Sequence, residues 1–109
     1  MPDVSALVVL STFKDAEAAA AVARTLVGEQ LAACVNIVPQ VRSIYHWEGA
    51  VHDDTEALAI IKTTRDRYDA LSARLVELHD YSVPEVVALP VADGHAPYLA
   101  WLGAQTRSP

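Results

Sequence analysis

Three segments of this chain are apolar on both alternating parities, and the sequence offers only two long helices to cover them. In Val4 to Phe13, Ala6, Val8 and Leu10 fall on one parity and Leu7 and Val9 on the other. Glu56 to Thr64 repeats the arrangement, with Leu58 and Ile60 against Ala57, Ala59 and Ile61. Between Pro84 and Pro90, Val86 to Leu89 is apolar throughout. Short runs of this kind, rich in β-branched residues, read as strands covered on both faces. Two helices can cover only one face of the sheet such strands form. The second face needs another cover, because an exposed apolar face of that size is a liability for a monomer. The expected cover is a second copy, a neighbour's hairpin or, in part, a terminal helix. A homo-oligomer is therefore expected from pattern alone, with its subunit count left open.

The remaining elements fall between these strands. Asp15 is the expected N-cap of a helix over residues 16–31, with Glu17 in its first turn. Ala19, Val22, Ala23 and Leu26 form its buried stripe, and Gly28 weakens its last turn. Ala33 to Trp47 alternates Val35, Ile37 and Val41 with Asn36, Gln40 and Arg42, and the parity then slips before Ile44. Such a slip marks a bulge or bend, and Pro39, which cannot donate to a ladder, points to an edge or to the bulge itself. Glu48-Gly49 and Asp53-Asp54 read as turns, so a long hairpin joins residues 33 to 63. Thr64 is the expected cap of a helix over 65–79 whose stripe is Tyr68, Leu71, Leu75 and Leu78. Pro97 suits the first turn of a short last helix, with His95 at its start and Tyr98, Trp101 and Leu102 as its apolar stripe. Residues 107–109 read as a tail. The order β-α-β-β-α-β plus a terminal helix predicts an α+β, ferredoxin-like fold with a long hairpin between its second and third strands. The 109 residues make one domain, 1–109.

Composition excludes several function classes. Apolar residues are 52% and charged residues 20%, which rules out intrinsic disorder. Eight basic against 14 acidic residues, net −6, disfavour nucleic acid and anionic membranes as partners, since both are captured by clustered Lys and Arg. No apolar stretch approaches the ~20 residues that span a bilayer. Met1-Pro2-Asp3-Val4 lacks the basic start of a secretory signal, so a cytoplasmic protein is expected. The single cysteine, Cys34, excludes an intrachain disulfide.

Candidate chemistry is sparse. No GxSxG, HExxH, phosphate-cradling glycine loop or GxGxxG is present, and no nucleophile–base pair is visible, so an enzyme is not expected. Cys34 is a small buried hydrophobe or a soft metal donor. His46 and His52 flank the hairpin turn six residues apart, solvated or facing each other across the strands. His79 to Glu85 groups an imidazole, a phenol (Tyr81) and a carboxylate within seven residues, with Lys62 ending a strand that could lie nearby. A histidine at a helix C-terminus is also favoured by the helix dipole alone.

Several separated motifs resemble the CutA family, the divalent-cation tolerance proteins. They are Cys34-Val35-Asn36-Ile37 with Pro39, then Ser43, Tyr45, Trp47-Glu48-Gly49, Glu56 and Lys62-Thr63. His79-Asp80-Tyr81, Pro84-Glu85 and Tyr98-Leu99-Ala100-Trp101-Leu102 continue the match, so that it runs from about Val8 to Trp101. The resemblance implies a ferredoxin-like protomer and a homotrimer with interlocked hairpins and sheets meeting edge to edge. It implies structural roles near subunit contacts for Tyr45, Trp47 and Trp101, and an association with copper and other divalent cations. Copper-binding members resemble a pattern with a Cys at the end of the first strand and two adjacent His at the end of the second helix. Here Ser11 and Leu78 stand at the first two positions and His79 retains the third. Serine is a poor copper ligand and leucine is none.

Three functions are carried forward. The first is a homotrimer that binds Cu(II) or another divalent cation, with His79 as ligand and Cys34 or Glu85 as further donors. The second is a trimeric small-molecule sensor similar in architecture to the nitrogen-regulatory PII proteins, with Lys62, Tyr81, Glu85 and Trp47 lining a cleft between subunits. The third is a structural or anchoring scaffold.

Overall fold

The three both-parity segments pair into one antiparallel sheet. The structure, a computed structural model, describes residues 5–107. Met1 to Val4, including the Val4 assigned above to the first strand, and Ser108-Pro109 of the tail lie outside the described residues. The strands are β1 (Ala6–Phe13), β2 (Cys34–Trp47), β3 (Ala50–Thr64) and β4 (Val87–Pro90), in the sheet order β2-β3-β1-β4. The helices are α1 (Ala16–Gly28), α2 (Arg65–Leu78) and α3 (Ala96–Gln105). This is the ferredoxin-like order with an added terminal helix.

Local chemistry sets the element ends. Asp15 caps α1, its Oδ1 accepting the Ala18 N–H at 2.8 Å. The helix stops at Gly28, three residues short of the expected end. Gln30 turns into the left-handed region at φ 59°, and the N–H groups of Leu31 and Ala32 return to the Leu26 carbonyl. That closure drops Leu31 into the core. Thr64 occupies the N-cap position of α2 without capping it. Its hydroxyl donates to the Asp66 carboxylate at 2.6 Å instead of holding a backbone N–H. The last strand begins one residue later than expected and ends on Pro90, which is tolerated there because β4 is an edge.

The register shows what each face holds. Leu7, Val9, Phe13, Ala57, Ala59 and Ile61 are buried; all but Leu7 pack in one core with Ala19, Val22 and Leu26 of α1 and Leu71 and Leu75 of α2. The opposite face is built of cross-strand rows: Cys34–Lys62–Val8–Leu89, then Asn36–Ile60–Leu10–Val87, then Val38–Leu58–Thr12. Most of these side chains are apolar, and no helix among the described residues lies across them. Val87 and Leu89 are each 47% exposed. The terminal helix packs only at one end of the sheet, where Leu102 meets Ala6 and Ala33. Of its expected apolar stripe only Leu102 is buried, and Tyr98 and Trp101 are exposed.

The hairpin is longer than the turn residues suggested. Its tip is Trp47-Glu48-Gly49-Ala50, with Glu48 at φ 50° and Gly49 at φ 80°, the two positive values a tight hairpin turn needs. Asp53 and Asp54 are not a turn. They pair in the ladder with Ile44 and Ser43. The parity slip falls between Val38 and Val41, at Pro39-Gln40, so Val41 shares a face with Val38 rather than with Ile37. Because β1 accompanies β3 only from Ala57 onward, the ribbon from Val41 to Glu56 projects past the sheet with no third strand. It lengthens the molecule to 50 × 26 × 22 Å.

Candidate functional site

The root of the projecting hairpin, the end of β1 and the loop after α2 enclose a groove of about 980 Å³. Thr12, Tyr45, Trp47, Glu56, Tyr81 and Glu85 are among its walls. Alternation along β3 explains part of this, because Asp54 and Glu56 continue the parity of Leu58 and Ile60.

Two phenols reach those carboxylates. Tyr81 donates to Glu56 Oε2 at 2.6 Å, and Tyr45 donates to Asp54 Oδ2 at 2.5 Å. Burial first, then the hydrogen bond to the Glu56 carboxylate, raises the Tyr81 phenol above the ordinary tyrosine range. For Tyr45 the bond to Asp54 is the largest cause of a rise in the same direction. Both phenols are therefore neutral donors that fix where the carboxylates point. The basic side chains of the groove are engaged with other acids. Arg42 forms a two-point bond with Asp53 (2.9 and 2.7 Å) and holds that carboxyl below its usual range. Lys14 lies 3.3 Å from Asp80.

His79 has a structural task. As the C-cap residue of α2 it stacks on Phe13, with ring centroids 4.3 Å apart and planes at 13°. Its Nε2 donates to the Thr12 carbonyl at 2.8 Å, and its Nδ1 accepts the Tyr81 N–H at 3.1 Å. This pattern requires the neutral tautomer with the proton on Nε2. Both ring nitrogens are thereby occupied, and the same contacts place Tyr81 over the groove.

Of the four residues expected to share a cleft, Trp47, Tyr81 and Glu85 line this groove and Lys62 does not. Lys62 sits in the row of Val8 and Cys34, and its ammonium bonds to the Asn36 side-chain oxygen. Cys34 is half-buried beside the same oxygen, its Sγ 3.8 Å away. Cys34 and His79 are thus at different levels of the sheet, Val8 against Thr12, about 13 Å apart along β1 at ~3.3 Å per residue. His46 and His52 do not face each other. His46 pairs with Val51, while His52 pairs with Tyr45 and stacks on it at 5.2 Å. Asp54 and Glu56 were not singled out as site residues. Their signal was the strand parity, which the turn assignment at Asp53-Asp54 concealed.

The positions that resemble a copper site do not fit a cation within one chain. Ser11 is fully buried with an unpartnered hydroxyl, Leu78 has no donor atom, and His79 is committed at both nitrogens. Among the described residues no three His, Cys, Asp or Glu side chains converge as a metal centre would require.

Residues 7–105 match the family described as CutA1 divalent ion tolerance protein. The chain belongs to the CutA1 family. It is 50% identical over 99 residues to the divalent-cation tolerance protein CutA of Thermus thermophilus, covering 91% of this chain and 96% of that one. It is 47% identical over 104 residues to Protein CutA 1, chloroplastic, of Oryza sativa, covering 95% of this chain and 59% of the rice protein's length. The crystal structure of CutA1 from Oryza sativa superposes with a TM-score of 0.93 at 46% identity, covering 97% of each chain. The CutA1 fold accounts for the ferredoxin-like order and the long hairpin together. No helix among the described residues is long and apolar enough to cross a membrane.

Proposed function

We propose that this CutA1 chain acts as a homotrimer in tolerance to divalent cations, and that Cu(II) or another divalent cation is held between chains rather than within one. The observation that carries the reading is the open sheet face with its projecting ribbon. A two-stranded ribbon is marginal alone, and an apolar face of this extent is stable in water only when covered. A copy of the same chain supplies both covers at once. Cys34 lies on that face and is the soft donor a boundary site would use. His79 would reach a cation only by giving up Thr12 and Tyr81. A cytoplasmic place of action and a ligation role without turnover belong to the same proposal.

Calorimetric titration of EDTA-stripped protein with Cu(II), repeated with redox-inert Zn(II), tests the metal half. Saturable binding at fewer than one ion per chain, lost in Cys34→Ser, is expected. Absence of saturable binding by the assembled protein would overturn it.

A second reading is favoured by the groove. Trp47 and Tyr81 offer aromatic surface and Glu85 a charged group, the composition of a small-molecule site. A metabolite that raises the melting temperature without metal would support a sensor of the PII type.

A further inference from the structure

Lys62 and Glu85 carry complementary unmet needs. Lys62 is the one basic side chain in the cross-strand rows of the open face, flanked there by Cys34, Val8 and Ile60. Among the described residues it bonds only to the neutral amide of Asn36. Lys14, Arg42 and Arg74 have carboxylates, Asp80, Asp53, and Glu29 with Glu77 respectively. Arg24, Arg65 and Arg67 have none among the described residues, but they lie on the helices and not on the open face. Covering the open face would take the Lys62 ammonium out of water, and a buried charge is tolerated only when paired. Of the three carboxylates lining the groove, Glu56 and Asp54 are held by phenols. Glu85 makes no ion pair or side-chain hydrogen bond among the described residues.

We propose that Lys62 of a neighbouring copy enters the groove and pairs with Glu85, so that the groove is complete only in the oligomer. Lys62 of the same chain is at the level of Val8, about 13 Å along β1 from Thr12 in the groove wall. The inference rests on the homo-oligomer proposed above and adds which side chains meet. It reunites Lys62 with Tyr81, Glu85 and Trp47, the set expected to line a cleft between subunits, and assigns Lys62 to one chain and the groove to the other.

Zero-length carbodiimide cross-linking of a mixture of ¹⁴N- and ¹⁵N-labelled protein tests it directly. An amide joining Lys62 to Glu85 with one light and one heavy peptide is expected. Cross-links of Lys62 to another carboxylate, such as Glu48 or Asp93, or only within one chain, would overturn it. In a parallel series, Lys62→Glu and Glu85→Lys should each raise the subunit dissociation constant about tenfold or more, and the double swap should recover most of that loss. A double variant no better than the worse single would contradict the pairing. A wild-type protein with the mass of one chain would instead remove the oligomer reading itself.

Discussion

The Tyr81 hydroxyl donates to the Glu56 carboxylate at 2.6 Å, tying the loop after α2 to the root of the hairpin across 25 residues of sequence. Tyr81→Phe deletes that bond and leaves the ring in place. The expected loss of stability is about 1–2 kcal/mol, from a hydrogen bond to a charged acceptor that water partly replaces. Urea unfolding measures it.

The same bond has a pH signature. The folded phenol titrates above its unfolded value near 10, so the folded state favours the neutral form. Its contribution is fully present below about pH 10 and is lost as pH rises through the folded value. The stability difference between wild type and Tyr81→Phe should be flat from neutral pH to about pH 10 and shrink above it. A difference that grows above pH 10 would contradict the assignment.

His79→Phe keeps a ring against Phe13 but loses the bonds to Thr12 and Tyr81. A cost of about 1–2 kcal/mol is expected, and His79→Ala should cost more, about 2–4 kcal/mol, because the stacking goes too. Equal costs for the two variants in denaturant titrations would mean the stacking contributes nothing.

Gly49 sits at φ 80° with open space around its Cα hydrogens. Gly49→Ala therefore meets no clash, and its cost, about 1 kcal/mol, is that of the left-handed backbone alone. Thermal unfolding of the variant checks it.

Ser11 is buried opposite Ala59 in the ladder, its hydroxyl unpartnered among the described residues. Ser11→Ala should be neutral or stabilising by up to about 1 kcal/mol, since it removes a polar group that gains nothing in the fold. A loss above 1 kcal/mol would reveal a hidden partner.

Much of this fold was legible because alternation and helical stripes are local. Period alone groups Leu7 with Val9, Ala57 with Ala59 and Ile61, and Leu71 with Leu75, but because both parities of β1 and β3 are apolar it does not say which one the helices bury. Asp15 was readable as a cap for the same reason. Asp53-Asp54 misled because two acids resemble a turn, while in the fold Arg42 and Tyr45 on the facing strand satisfy them within a ladder. Those partners lie eleven and nine residues away, beyond any turn signal. The role of His79 was illegible for a larger reason. Thr12 is 67 residues away, so nothing near His79 announces that its Nε2 proton is taken. The placement of Lys62 away from Tyr81 likewise depends on register along the sheet and not on residue type.

Copies of this chain are expected to cover the open face of Val8, Leu10, Ile60, Val87 and Leu89. Light scattering of the purified protein at micromolar concentration tests it most directly, beside Leu89→Asp. A mass of three times the 11.7 kDa chain, falling in the variant, is the predicted result. A wild-type mass of one chain, with the apolar face stable in water, would contradict it.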